Sequence, residues 1–254
     1  MLGTENAKER VAVKFVITNS YDEMSLKAAQ FVAEAIKAKP NIVLGLPTGS
    51  TPIGMYKELV RMHKEEGLDF SKVKTFNLDE YCGLDSNHDQ SYRYFMESNL
   101  FKHVNVKKEN INFLSGVAKD REAECRRYEE AIEKVGGIDL MILGIGTNGH
   151  IGFNEPAPEL PAKGHVVKLA ASTIEANSRF FANIDDVPKE AVTMGVGSIL
   201  QCKKIILLAN GKAKQDAVYG SSNGIVTTML PGSLLQLHRD VTFFLDKDAA
   251  VKLS

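Results

Sequence analysis

Three stretches of the sequence gather residues whose types and spacing suit acid–base and anion-binding chemistry. The first is Phe76-Asn77-Leu78-Asp79-Glu80-Tyr81, where two adjacent carboxyl groups follow an apolar run. Neighbouring residues of an extended chain point to opposite sides. Asp79 and Glu80 are therefore predicted to divide their roles, one facing a pocket as a candidate general base and the other bonding the local backbone. The second stretch, Gly144 to Pro156, places Asn148, His150 and Glu155 within eight residues. An amide and a carboxylate beside an imidazole suit the orientation of a histidine for proton transfer. Asn148 and His150 are two apart, so in an extended segment they share a face, and a turn can bring Glu155 back to them. The third stretch is Leu46-Pro47-Thr48-Gly49-Ser50-Thr51-Pro52. A strand ending in small residues before a helix lets the N–H groups and hydroxyls of Thr48, Gly49, Ser50 and Thr51 cradle a phosphate. Thr51 is also predicted to cap that helix, with Pro52 as its first residue. Arg179 and Lys214 are the cations placed to complete such a site.

Two familiar phosphate motifs are excluded. No lysine precedes a serine or threonine at the end of the Thr48–Thr51 loop, so it is not a Walker A loop. Gly144-Ile145-Gly146-Thr147-Asn148-Gly149 has the glycine spacing of a dinucleotide loop. Pro156, Pro158 and Pro161 stop the helix that would have to follow, and Lys168-Leu169 stands where a ribose-binding acid would be needed.

Such loops act together only if regular elements bring them to one place. Val11–Thr18 is a β-branched run, and Ser20 with Glu23 has the spacing of a capping box. Apolar residues at helical spacing run from Asp22 to Lys39. Asn41–Leu46, Val73–Leu78, Val166–Leu169, Lys204–Leu208 and Val241–Leu245 are predicted strands. Ile138–Ile145 is nearly continuous in apolar residues and is predicted to be central. Thr51–Lys64, Ser91–Lys102, Glu122–Val135 and Lys212–Tyr219 carry helical patterns. Alternating strands and helices predict an α/β fold, a largely parallel sheet with helices on both faces, Rossmann-like but without dinucleotide binding. Residues 1–10 are expected to be a polar extension and residues 11–254 a single α/β domain.

Lys and Arg number 31 against 32 Asp and Glu, for a net charge of −1. A broad basic field for nucleic acid is thereby excluded. No apolar run approaches the roughly 18 residues of a membrane span, and the first ten residues contain no secretory core. Cys82, Cys125 and Cys202 are odd in number and far apart, without a CxxC pair or zinc spacing, which predicts reduced thiols in the cytoplasm. The six histidines form no HExxH pair, so no metal is expected.

LGLPTGSTP, FNLDEY, GTNGHIGFNEP, ANSRFF and LQLH occur in this order in the chain. From about Val11 to Leu253 it resembles the glucosamine-6-phosphate deaminase family, in which these segments recur at similar spacing. The resemblance implies no metal and no organic cofactor. It implies conversion of glucosamine 6-phosphate and water to fructose 6-phosphate and ammonia, in the catabolism of N-acetylglucosamine and N-acetylneuraminate. Carried over by position, Asp79 is the enolisation base, and Asn148, His150 and Glu155 form the ring-opening group. Thr48, Gly49, Ser50, Thr51, Arg179 and Lys214 fall on the substrate phosphate site. One departure stands out: the best-known members carry Asp where this chain has Asn148. The alternatives are a 6-phosphogluconolactonase-like hydrolase, which needs no base at C2, and a sugar-phosphate-sensing domain, which would need a helix-turn-helix for DNA. Some members are homo-oligomers, hexamers activated by N-acetylglucosamine 6-phosphate through an intersubunit Arg-x-Lys pair. Here that pair falls on His165 and Val167, and hyperbolic kinetics are expected instead.

Overall fold

The computed structural model describes residues 13–253; the predicted extension 1–10 and the first two residues of the Val11–Thr18 strand lie outside them. The chain runs β1 (Lys14–Thr18), α1 (Tyr21–Ala38), β2 (Val43–Leu46), α2 (Ile53–Glu66), β3 (Lys74–Asn77), β4 (Asp79–Tyr81), α3 (Tyr92–Asn99), β5 (Ile111–Asn112) and α4 (Arg121–Lys134). It continues with β6 (Leu140–Leu143), β7 (His165–Lys168), α5 (Ala171–Ser178), β8 (Glu190–Thr193), α6 (Val196–Leu200), β9 (Lys204–Ala209), α7 (Gln215–Asn223) and β10 (Val241–Asp246). Seven strands form one sheet in the order β1-β10-β9-β6-β2-β3-β5, and every pairing in it is parallel. The predicted central strand is indeed the middle of the seven.

Strand β6 shows why helices cover both faces. Met141 and Leu143 pack with Cys125, Tyr128 and Ile132 of α4 and with Ala217 and Val218 of α7. Leu140 and Ile142 point the other way, to Met24, Ala28 and Val32 of α1 and to Met55, Tyr56 and Leu59 of α2. A strand buried on both sides has no need of alternation, and β6 is accordingly apolar at all four positions. Helix α1 starts where its capping residues predict: Ser20 Oγ accepts from Glu23 N at 3.2 Å. Glu23 reaches back to Asn19 N at 2.9 Å, one residue earlier than a standard box.

From β2 the strand order runs outward through β3 to β5, and from β6 it runs the other way through β9 and β10. The crevice between β2 and β6 is thus the point where the winding reverses. In such sheets ligands sit beyond the carboxyl ends of the strands at that crevice. The loops that leave β2 and β6 there contain Thr48–Thr51 and Asn148–His150.

Several elements depart from the sequence reading. After Leu78 the chain changes sheet, and Asp79–Tyr81 joins a separate antiparallel sheet of order β4-β8-β7. Asp79 pairs with Thr193 and His165 with the same Thr193, so the predicted Val166–Leu169 strand belongs to this small sheet rather than to the parallel one. Strand β8 and helices α5 and α6 were not anticipated. Helix α3 stops at Asn99, before a separate 3-10 turn at Phe101–His103. The segment predicted as a helix from Lys212 begins as a 3-10 turn over Lys212–Lys214. Among the described residues no helix is long and apolar enough to cross a membrane.

Candidate active site

A cavity of about 380 Å³ opens at the crevice between β2 and β6. Thr48, Gly49, Ser50, Thr51, Asp79, His150, Arg179 and Lys214 all line it. Residues up to 166 positions apart in sequence, Thr48 and Lys214, are thus brought to one space, as the strand-end geometry requires. Tyr92, Thr173 and Asn210 also line it and were not singled out from the sequence. They have neutral side chains in segments without a phosphate or acid–base motif, so no local pattern marked them.

At one end lies the loop after β2. Gly49 has φ of 93°, a conformation that glycine adopts without strain. Beneath the loop, the buried Tyr56 hydroxyl donates to Pro47 O at 2.6 Å. The Tyr21 hydroxyl ties the loop to α2, accepting from Gly54 N at 2.8 Å and donating to Ser50 O at 3.3 Å. Thr51 does not cap α2. The helix begins at Ile53 with Pro52 at the cap position and no side-chain cap bond. The Thr51 hydroxyl instead donates to Asn210 Oδ1 at 2.8 Å, because the chain tightens over Ser50–Ile53 and the hydroxyl faces the segment that leaves β9. Arg179 Nη2 donates to Ser50 Oγ at 3.2 Å. Burial and the charge of Arg179 both push the Lys214 ammonium below its ordinary range. Two cations held together against their repulsion form a place that an anion relieves.

At the other end, Asp79 and Glu80 divide their roles as their opposite directions predict. Glu80 turns to the backbone and accepts from Tyr81 N at 2.9 Å, Tyr92 N at 2.9 Å and Arg93 N at 3.0 Å. Its carboxyl therefore sits on the first turn of α3, beside the Ser91 hydroxyl that caps Tyr94 N. Burial pushes the Glu80 pKa up to about 7 against the pull of those three bonds. Asp79 faces the cavity and is 7% exposed. Among the described residues none donates a hydrogen bond to its carboxyl group. Burial, and then the neighbouring Glu80 charge, raise its pKa to about 8.

The loop after β6 is a turn, not the extended segment predicted, with Gly149 at φ of 87°. Asn148 and His150 therefore do not present their side chains side by side. Asn148 Oδ1 accepts from the His150 main-chain N–H at 3.2 Å, and its Nδ2 donates to Glu155 Oε2 at 2.8 Å. Glu155 is the group beside the imidazole, with Oε2 3.4 Å from His150 Nδ1. Asn148 thus orients the carboxylate and the histidine backbone. Burial works to raise the Glu155 pKa, but the hydrogen bond and charge of His150, then Thr173 and Asn148, bring it down to about 2. Glu155 also receives Ala170 N at 3.4 Å, at the N-cap position of α5, where Ala170 has no side chain to serve as cap. Helix α5 is in this way seated on Glu155 while Arg179, at its far end, touches Ser50 of the loop after β2. Gly146 is needed beneath the ring: a Cβ there would collide with the imidazole.

Fold and site together define a doubly wound α/β protein with a cavity lined by two cations beside a small-residue loop at one end and by a carboxyl group and an imidazole at the other. The family model for glucosamine-6-phosphate isomerases/6-phosphogluconolactonase matches residues 18–244, and the chain belongs to that family. A glucosamine-6-phosphate deaminase of Thermoanaerobacter sp. (strain X514) is 58% identical over 94% of each chain. One from Clostridium perfringens (strain 13 / Type A) is 53% identical over 94% of this chain and 98% of its own. Among solved structures, a monomeric glucosamine-6-phosphate deaminase matches with TM-score 0.92 and 46% identity, over 94% of this chain and 99% of that one. A 6-phosphogluconolactonase from Trypanosoma cruzi shares the fold with TM-score 0.78 at 21% identity, over 98% and 100% of the two chains.

Proposed function

We propose that this chain is a glucosamine-6-phosphate deaminase, converting glucosamine 6-phosphate and water to fructose 6-phosphate and ammonia. The observation that carries the reading is Asp79, a buried carboxyl that receives no hydrogen bond among the described residues, in the same cavity as Arg179 and Lys214. A deaminase needs a base at C2 and a lactonase does not. Relatives of that name at 53–58% identity over nearly the whole chain support it.

In this reading Thr48–Thr51, Arg179 and Lys214 bind the phosphate. Glu155 holds His150, and Asn148 holds Glu155. His150 passes a proton from the C1 hydroxyl to the ring oxygen as the sugar opens to its aldehyde. Ionised Asp79 then takes the C2 proton while the C1 oxygen gains a proton from the substrate ammonium, leaving an enolamine, and Asp79 returns its proton to C1 to give the C2 iminium. The C2 iminium adds water and expels ammonia. The two carboxyl environments are driven apart, to pKa values of about 8 and about 2, which suits one to exchange a proton and the other to remain charged. The proposal takes residues 11–254 as one catalytic domain, needing neither metal nor organic cofactor. Three buried free cysteines support a reducing, cytoplasmic setting. A homo-oligomer is not required, since one solved relative is described as monomeric.

Ammonia release from glucosamine 6-phosphate, coupled to appearance of fructose 6-phosphate, is the deciding assay. Hydrolysis of 6-phosphogluconolactone without ammonia release from the amino sugar would replace this reading with the lactonase one.

A further inference from the structure

Lys214 reaches the cavity from a turn, not from a regular helix. Strand β9 ends at Ala209, Asn210 and Gly211 follow, and Lys212–Lys214 form a single 3-10 turn before α7. Both residues between strand and turn are tied. Asn210 Oδ1 receives the Thr51 hydroxyl. Gly211 N donates to both carboxyl oxygens of Asp246, at 3.0 and 3.1 Å. Gly211 has φ of 81° and ψ of 159°, a region open to glycine and strained for other residues. Asp246 ends the adjacent strand β10 and is buried, and its Oδ1 also accepts from Ala249 N at 2.8 Å.

A buried carboxyl group close behind an anion site does nothing for anion recognition by charge. Its partners here are main-chain N–H groups, so its effect is on the path of the chain. That path matters because Lys214 is held under stress. Burial and repulsion from Arg179 both favour withdrawal of the ammonium toward water. A turn free to relax would allow that withdrawal.

We propose that Asp246 is a positioning residue for phosphate recognition: by clamping the Gly211 amide it sets the turn that presents Lys214 beside Arg179 at the anion loop. The inference rests on the phosphate role given to Lys214 above.

The test uses the full chain and three single variants, Asp246→Asn, Gly211→Ala and Lys214→Met, with the double variant Asp246→Asn/Lys214→Met. Asp246→Asn keeps an oxygen for Ala249 N and removes the charge and one acceptor facing Gly211. Gly211→Ala leaves β10 untouched and meets no atom within 4 Å, so it acts through backbone strain alone. It also serves if the Asp246 variant does not fold. KM and kcat for glucosamine 6-phosphate, competitive inhibition by inorganic phosphate, and the melting temperature are measured. A charge-assisted contact of this kind corresponds to about ten- to hundredfold in affinity. Asp246→Asn and Gly211→Ala are expected to raise KM and the phosphate inhibition constant together, about tenfold, with kcat within about twofold. The double variant is expected to be no worse than Lys214→Met, since both act through one contact. A lowered kcat or melting temperature with unchanged phosphate inhibition would overturn the proposal, as would full additivity in the double variant. If Lys214→Met weakens phosphate inhibition while the other two variants do not, this inference alone fails. If Lys214→Met changes neither KM nor phosphate inhibition, the phosphate role of Lys214 fails and takes the inference with it.

Discussion

Burial holds the Asp79 carboxyl at a pKa of about 8, so near neutral pH a large share is protonated, and only the ionised share can take a proton from C2. Turnover is therefore expected to rise with pH through the region of 8, and a pH–rate profile flat between 6 and 9 would contradict the assignment. Asp79→Asn should cost about 10²–10⁴-fold in turnover and abolish exchange of C2 deuterium, while inorganic phosphate still binds. The same shift has a signature in stability. The folded state keeps a proton that the unfolded chain releases near pH 3.9, so Asp79 opposes folding increasingly as pH rises from about 4 to about 8. Asp79→Asn should then melt higher than the parent above pH 8. Glu155 has the opposite sign. Its pKa falls to about 2, so it contributes stability above its unfolded value near 4.3, lost as pH drops toward 2. Glu155→Gln should melt lower than the parent at pH 7, with the gap closing in acid. Asn148→Asp places a carboxylate against Glu155 where an amide now donates at 2.8 Å. It should raise the Glu155 pKa, lower the melting temperature and displace the pH–rate profile.

Two turns and one short strand decide where these side chains stand. The turn after β6 packs Gly146 directly under the His150 ring, so Gly146→Ala must push the imidazole aside. A misplacement of about 1 Å is worth about a hundredfold in rate. Gly146→Ala should therefore lower kcat by about that factor, with KM and melting temperature little changed, since the phosphate end and the core are not touched. Strand β4 has three residues, all buried, and pairs with β8 through Asp79↔Thr193 and Glu80↔Val192. That pairing, with the seat of Glu80 on α3, fixes which of the two acids faces the cavity. Helix α5 links the two ends of the site, with its first turn on Glu155 and Arg179 against Ser50.

Across the whole molecule, one cavity is lined by the Thr48–Thr51 loop, Asp79 and His150, with Glu155 held behind the imidazole, and strand β7 supplies little for the intersubunit phosphate site that the family resemblance raises. His165 and Val167 stand on β7 where two cations would be needed. Burial lowers the His165 pKa against the pull of its bond to Lys163 O, which leaves it neutral near pH 7. Neutral imidazole and valine make no charge-assisted bonds to phosphate. An effector shifts an equilibrium only by its differential affinity for two states. Saturation by glucosamine 6-phosphate is therefore expected to be hyperbolic and unchanged by millimolar N-acetylglucosamine 6-phosphate. A sigmoidal curve that the acetylated sugar makes hyperbolic would refute this.

Much of the site was legible because its chemistry is local. The split between Asp79 and Glu80 follows from the two-residue period of extended chain, the Thr48–Thr51 loop from small residues between a strand and a helix, and the central place of β6 from an unbroken apolar run. These signals lie within a few residues of one another. The choice of strand partner does not. The parallel order that puts β2 beside β6, the move of Asp79–Tyr81 into a second sheet, and the existence of β8 depend on pairing between segments about a hundred residues apart. Tertiary contacts also overrode two local readings. The Thr51 hydroxyl left the helix cap for Asn210, just past the end of β9, and Asn148 met the Glu155 carboxylate instead of the imidazole. Residue types within short stretches mark which groups are suited to hold a proton or a phosphate. Which of them share a cavity follows from the folded sheet, because burial, charge repulsion and hydrogen bonding across strand ends exist only once the sheet has brought those ends together.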